Sequence, residues 1–270
     1  MDKTTIEHLT EEVKKLAIEA GNFLVEQRKS FDRSKVENKR SHDYVSYVDK
    51  ESEKMIVSRL KELLPEAGFI AEEGTQGRNG EDLFWTVDPL DGTTNFIHDN
   101  APYCVSIALC DKSEALLGVV YECCKKELFW ANKYGEAYLN DKPIKVSEIA
   151  EMDNAFIELG FPYDSENTGK MMPELAKRLY GNVGGIRLQG SAASELCYIA
   201  CGRFEARIEP SLGAWDIAAG ALILKQAGGK VTDFHGNDIY CDGKEVLASN
   251  GKLHTHIKSI VEDILQGEKQ

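Results

Sequence analysis

The stretch that most constrains this chain is Phe84-Trp85-Thr86-Val87-Asp88-Pro89-Leu90-Asp91-Gly92-Thr93-Thr94-Asn95-Phe96. It opens as an apolar strand, then places two carboxylates three positions apart, followed by a glycine and two threonines. Phe, Trp and Val favour a buried strand, whereas Asp and Pro are depleted there, so the chain is expected to leave the sheet at Asp88-Pro89. The acids should then sit at the C-terminal end of a strand, the edge where open α/β folds bind ligands. The backbone N–H groups from Gly92 to Asn95 suit a phosphate. The stretch points to a divalent metal site beside a phosphate site.

A chain of 270 residues has room for one large domain or two closely packed halves. The composition shifts around Glu148 to Asp153, which sets an expected boundary between residues 1–150 and 151–270 within a single compact catalytic unit. The formal charge of −13, from 45 acids and 32 bases, argues against a broad nucleic-acid surface. The N-terminus runs directly into a charged amphipathic pattern, and no apolar run reaches membrane-spanning length. A cytoplasmic protein without membrane or nucleic-acid partners is expected. Its seven cysteines then read as reduced, mostly buried thiols.

Hydrophobic spacing predicts a helix over residues 4–28, with Thr4 and Glu7 placed for a capping box. The basic stretch Lys29 to Arg40 reads as a loop or irregular strand. Residues 43–49 alternate as a strand and lead into a helix over 50–64, where Asp49 falls at the N-cap. Phe69-Ile70-Ala71 forms a short strand ending in Glu72-Glu73. After the central stretch, residues 103–109, 116–121 and 127–131 form an antiparallel meander, and 135–143 another turn-linked pair. Further on, strands at 155–159, 204–208, 230–234 and 246–249 alternate with helices at 172–180, after Gly190, at 217–226 and at 253–266. The meander breaks a purely βαβ pattern, so layered α and β (an α+β arrangement) is expected rather than a Rossmann domain.

The acids at element ends are Asp49, Glu72, Glu73, Asp88, Asp91, Glu209 and Asp216. Oxygen ligands suit hard cations such as Mg²⁺, and two such ions can hold a phosphate, orient a water and stabilise a leaving alkoxide. Asp88, at the strand end, is best placed to bridge them. Asp49 and Asp216 are equally well explained as helix caps. Cys197 and Arg203 match the Cys-x5-Arg spacing of cysteine-dependent phosphatases, but Cys197 lies in an apparent apolar helix, where burial raises a thiol's pKa. His42, His98, His235, His254 and His256 are dispersed, and His254 and His256 read as surface residues.

Three segments together carry a resemblance: Glu72-Glu73 after Phe69-Ile70, the run Trp85 to Phe96, and Trp215-Asp216-Ile217-Ala218-Ala219-Gly220 before a Gly-Gly. They resemble the inositol monophosphatase family of lithium-sensitive, Mg²⁺-dependent phosphatases, from about Ile6 to the last helix. The resemblance implies a layered αβαβα sandwich, a homodimer, and hydrolysis of a phosphorylated polyol with two or three Mg²⁺ ions. Glu72, Asp88 and the Leu90 carbonyl would hold one ion; Asp88, Asp91 and Asp216 would hold the second, and Glu72 would also face a third. Gly92 and Thr93 match the phosphate-binding amides, and Thr93 with Asp49 matches the pair that orients the nucleophilic water, with Glu72 adjacent. Thr94-Asn95-Phe96 looks like the inositol phosphatase branch, unlike the Lys-Glu-Phe of bisphosphate nucleotidases. Glu209 falls where that branch binds substrate hydroxyls, and Ser191 and Ala192 match the lining of the ring pocket. Pro210 to Ala214 and Gly160 to Tyr163 depart from the animal enzymes, leaving fructose 1,6-bisphosphate and 3′-phosphoadenosine 5′-phosphate as alternative substrates.

Overall fold

In a computed structural model, residues 1–40, 43–162, 170–239, 241 and 244–267 are described. His42 and Tyr163, named above, lie outside them. Helix α1 (Lys3–Lys29) is followed by a short hairpin of β1 (Glu37–Arg40) and β2 (Asp43–Val45), then α2 (Tyr47–Leu63). The first large sheet takes β3 (Gly68–Ala71), β4 (Phe84–Asp91), β5 (Cys104–Cys110), β6 (Ala115–Glu122), β7 (Glu127–Asn132), β8 (Tyr138–Leu139) and β9 (Lys142–Pro143) in that spatial order. Only β3 and β4 run parallel in it, and α3 (Thr93–His98) follows β4 directly. The second half contributes β10 (Phe156–Leu159), α4 (Met171–Leu179), β11 (Gly185–Arg187), α5 (Ala192–Ala200) and β12 (Ala206–Pro210). It closes with α6 (Ala214–Gln226), β13 (Lys230–Thr232), β14 (Glu245–Ser249) and α7 (His254–Gly267), the second sheet having the order β11-β10-β12-β14-β13.

Alternation along the meander explains the layering. Trp85, Val87, Val105, Ile107, Leu109, Leu117, Val119 and Tyr121 share one core with Ile6, Val13, Leu24, Ile56 and Leu60 of α1 and α2. The intervening residues Phe84, Cys104, Ala108, Val120 and Phe129 share a second core with Leu196, Ile199, Ile217 and Ile223 of α5 and α6. A strand side chain points to the opposite face at each step, so a sheet buried on both faces needs apolar residues at every position. β5 and β6 are buried throughout. A third core joins Ile157, Ala206, Ile208 and Leu247 of the second sheet to Leu175 of α4 and Ile257 and Val261 of α7. The result is five layers: α1/α2, the seven-stranded sheet, α5/α6, the five-stranded sheet, α4/α7. At Gly118 of β6, a Cβ would lie 2.8 Å from backbone atoms of Ala219, so only glycine lets α6 approach so closely.

Several local expectations need correction. The first helix is capped by Asp2, which accepts from Thr5 N–H at 2.9 Å, not by a Thr4 and Glu7 box. The basic stretch before Arg40 takes the irregular-strand alternative, a 3₁₀ turn (Arg33–Lys35) followed by β1, whose register against β2 shifts between Asn38 and Arg40. Ser46 caps α2, making Asp49 the third helical residue of a capping box rather than the cap. Asp216 likewise sits at the third position of α6, accepting from Gly213 N–H at 2.7 Å. The capping-box geometry needs an acid three residues after the cap, which displaces both by one turn.

Two side-chain expectations also change. Cys110 and Cys241 are joined as a disulfide, a contact between residues 131 apart that has no local signature. His254 is buried, with its ring nitrogens 3.0 Å from Thr232 Oγ1 and 2.9 Å from Ser249 Oγ. Its position at the start of α7 turns it inward against β13 and β14. Among the described residues, no helix is long and apolar enough to cross a membrane.

Candidate active site

The chain does not leave the first sheet at Asp88. β4 continues to Asp91, and its pairing with β5 shifts: Asp88 faces Ser106 and Asp91 faces Cys104, three steps on one strand against two on the other. In a regular strand, residues three apart point to opposite faces; the extra residue of this bulge turns Asp91 to the side of Asp88. Pro89, which lacks an N–H, falls within the bulge, and Leu90 N–H donates to Asp88 Oδ1 at 2.9 Å. Asp216 arrives from the first turn of α6. Carboxylate oxygens of Asp88, Asp91 and Asp216 lie within 4.8 Å of one another, and Glu72, at the end of β3, faces Asp88.

The other groups complete the site from four elements. Asp91 lies at the N-terminus of α5, where it accepts from Ser191 Oγ (2.7 Å), Ala192 N–H (3.1 Å) and Ala193 N–H (2.8 Å). Ser191 and Ala192 thus commit polar groups to Asp91. Gly92 has φ +92°, and a Cβ there would meet Pro102 O at 2.9 Å, so the tight exit from β4 into α3 requires glycine. Thr93 Oγ1 lies 3.0 Å from Asp49 Oδ1 and 3.0 Å from the Leu90 carbonyl. Ser46 donates to Asp49 Oδ2 from both its N–H (2.9 Å) and its hydroxyl (2.6 Å). Asn95 Nδ2 ties the α3 turn to the Gln189 carbonyl at 2.6 Å.

Glu209 stands apart from the acid cluster, in ionic contact with the guanidinium of Arg207. Arg207 is 2% exposed and also contacts Glu195, while Gln189 Nε2 donates to Glu158. A Cβ at Gly160 would overlap the Glu209 carboxylate, so glycine at 160 is what admits this side chain. Sequence reasoning passed over Arg207 and Glu195, whose burial no local spacing signals. It also passed over Ser52 and Glu53, although they fall three and four residues after Asp49 and so share its helix face.

Electrostatics suit the cluster to a cation. Burial, then the charges of Glu72, Asp91 and Asp216, raises the Asp88 carboxyl well above the ordinary range. Burial raises Asp91 too, against lowering by its Ser191 and Ala193 hydrogen bonds and by Arg207. Burial and Asp91 push Asp216 up to about 7, and burial raises Asp49 despite the hydrogen bonds from Ser46 and Thr93. Like charges crowded in a low-dielectric site resist ionisation, and a cation relieves both the desolvation and the repulsion. The donors are all oxygens, which fits Mg²⁺ and disfavours soft metals. Burial and the Asp91 charge hold the Cys104 thiol, 3.5 Å from Asp91 Oδ2, far from thiolate character.

Comparison with known proteins agrees with this geometry. The model of the inositol monophosphatase family matches residues 5–266. The chain is 36% identical over 248 residues to the putative Nus factor SuhB of Neisseria meningitidis serogroup B, covering 92% of this chain and 95% of that protein. It is 34% identical over 224 residues to a fructose-1,6-bisphosphatase/inositol-1-monophosphatase of Thermotoga maritima, covering 83% of this chain and 84% of the relative. The solved structure of a T. maritima IMPase superposes with a TM-score of 0.87 at 31% identity, covering 95% of this chain and 98% of that one.

Proposed function

Because the chain belongs to the inositol monophosphatase family, we propose that it is a Mg²⁺-dependent phosphomonoesterase that converts myo-inositol monophosphate to inositol and phosphate. The observation that carries this reading is the convergence of Asp88, Asp91 and Asp216 beside the Thr93–Asp49 pair. Bound Mg²⁺ supplies charge stabilisation at the phosphoryl group and makes a nearby water more acidic. Glu72, Asp88, Asp91, Asp216 and the Leu90 carbonyl are the groups that would hold it, as two or three ions.

The remaining chemistry falls to side chains. Thr93, with its hydroxyl proton directed to Asp49, keeps lone pairs free to accept a hydrogen bond from the attacking water; as the water's proton moves to Thr93, the threonine's own proton passes to Asp49, and Glu72 is a further candidate acceptor. Ser46 holds the Asp49 carboxylate in one rotamer, so that the dyad is pre-aligned. Gly92 and Thr93 present backbone N–H groups to the phosphate, Glu209 serves the polyol, and the segment Ser191-Ala192 backs the ring pocket while its polar groups hold Asp91. Glu209 accepts substrate hydroxyls, and its contact with the buried Arg207 fixes where its carboxylate sits. The active form is a homodimer in the cytoplasm.

The test is phosphate release from inositol 1-phosphate with and without Mg²⁺, beside fructose 1,6-bisphosphate and 3′-phosphoadenosine 5′-phosphate. Metal-dependent turnover dominated by the inositol ester is expected, and Asp91→Asn should reduce it by orders of magnitude in a folded protein. A dominant rate on fructose 1,6-bisphosphate would favour the second activity in the T. maritima relative's name. No turnover of any phosphoester would sink the catalytic reading and leave a non-enzymatic role, which the name Nus factor of the N. meningitidis relative suggests.

A further inference from the structure

The face of α2 turned to the site carries Asp49, Ser52 and Glu53. Ser52 Oγ donates to the Pro89 carbonyl at 3.2 Å, steadying the bulge. Glu53 is wholly buried, and its two carboxylate oxygens accept separate backbone donors: Glu73 N–H at 2.7 Å and Thr75 N–H at 2.8 Å. We propose that Glu53 is a positioning residue for Glu72, fixing the turn after β3 so that the Glu72 carboxylate is held against Asp88 for cation binding. The inference rests on the proposed metal-dependent reading and deepens it.

The argument follows the backbone. Glu72 N–H still belongs to the sheet, donating to the Val87 carbonyl at 3.1 Å, and Gly74 N–H donates to Ala71 at 3.2 Å. Past that point the chain leaves β3, and the N–H groups of Glu73 and Thr75 have no strand to pair with. An ionised carboxylate is acceptor-only and has two oxygens, so one side chain satisfies both donors at once. Glutamine at 53 would accept one and turn an NH₂ group against the other. With Glu72 tied on one side by β4 and on the other by Glu53, its side chain is aimed before any ion arrives. Groups that orient a metal ligand from behind typically change metal affinity by about 10–100-fold when removed.

A matched control exists in the same fold. Glu122, also wholly buried, accepts from Cys124 N–H at 3.0 Å and Lys125 N–H at 2.8 Å at the β6–β7 turn. Glu53→Gln and Glu122→Gln therefore remove the same kind of bond, but only the first removes it beside Glu72. Each metal-stripped protein is titrated with Mn²⁺ by calorimetry, and kcat and KM for inositol 1-phosphate are read across Mg²⁺ concentrations. Glu53→Gln should bind Mn²⁺ about tenfold more weakly or worse, with kcat recovering at high Mg²⁺. Glu122→Gln should bind within about twofold of the parent, as expected of an independent site. A parent protein that neither binds Mn²⁺ nor hydrolyses the ester would overturn the proposed function itself. If the parent does both, and Glu53→Gln binds like it or both variants weaken equally, the positioning role alone is overturned. If Glu53→Gln does not fold, hydrogen exchange on the parent decides. Metal coupling is reciprocal, so saturating Mg²⁺ should slow exchange at the Glu73 and Thr75 amides more than at Cys124 and Lys125. An equal response at the two turns would overturn the proposal.

Discussion

His254 makes the stability of this protein acid-sensitive by an amount that can be worked out from its surroundings. The ring is 2% exposed and bridges Thr232 on β13 to Ser249 on β14. Burial, with smaller contributions from Lys230 and Lys258, lowers its pKa from 6.5 to about 4. Because the folded value lies below the unfolded one, the unfolded chain takes up the proton first as the pH falls. The stability that neutral His254 contributes is thus complete above about pH 6.5 and is lost between there and about pH 4. At 1.36 kcal/mol per unit, the whole interval is worth about 3 kcal/mol, and the step from pH 7 to pH 5 about 2 kcal/mol. The raised carboxyls of Asp49, Asp88, Asp91 and Asp216 act in the opposite sense, adding stability at low pH that is lost as they ionise. The comparison with His254→Gln cancels that contribution, since both proteins share it. Urea unfolding of metal-free protein at pH 7 and pH 5 should show the parent losing about 2 kcal/mol more than the variant on acidification. Equal losses would refute the assignment of a buried, neutral His254.

Thr93→Ala should lower kcat by about 10²–10⁴-fold while calorimetric Mn²⁺ affinity stays near the parent's, since the hydroxyl is assigned to the water and not the metal. Unchanged kcat would remove Thr93 from the mechanism. Arg207→Met leaves Glu195 and Glu209 without their cation, so unfolding free energy should fall by about 3–5 kcal/mol. Glu158, which burial pushes up to about 8 against the lowering effect of Arg207, should rise further. An unchanged denaturation midpoint would mean that the cluster carries no net ionic stabilisation. Gly118→Ala drives a Cβ into the backbone of Ala219 and should cost about 1–3 kcal/mol, read as a lower melting temperature; an unaltered melt would show that α6 can retreat from β6.

Much of the site was legible before any coordinates because its parts are marked by short-range chemistry. The apolar run Phe84 to Val87 had to be a strand, Gly92 marked the turn after it, and Asp49 and Asp216 were marked as belonging near helix starts, although the caps themselves are Ser46 and Gly213. Those features depend on residues at most a few positions apart, and spacing encodes them directly. Others depend on which distant faces meet. Asp88 and Asp91 are three apart, a spacing that in an unbroken strand separates them; pairing with β5 creates the bulge that brings them together. Asp91 reaches the N-terminus of a helix 101 residues further on. Glu209 meets a buried Arg207, His254 turns inward, and Cys110 finds Cys241, all through packing between layers. By itself, then, the sequence determined which acids are candidate ligands, the turn that follows them and the alternation that buries both faces of a sheet. Only the tertiary structure decided how five layers bring those acids together, because burial and long-range register arise from the contact of whole faces, which no local pattern contains.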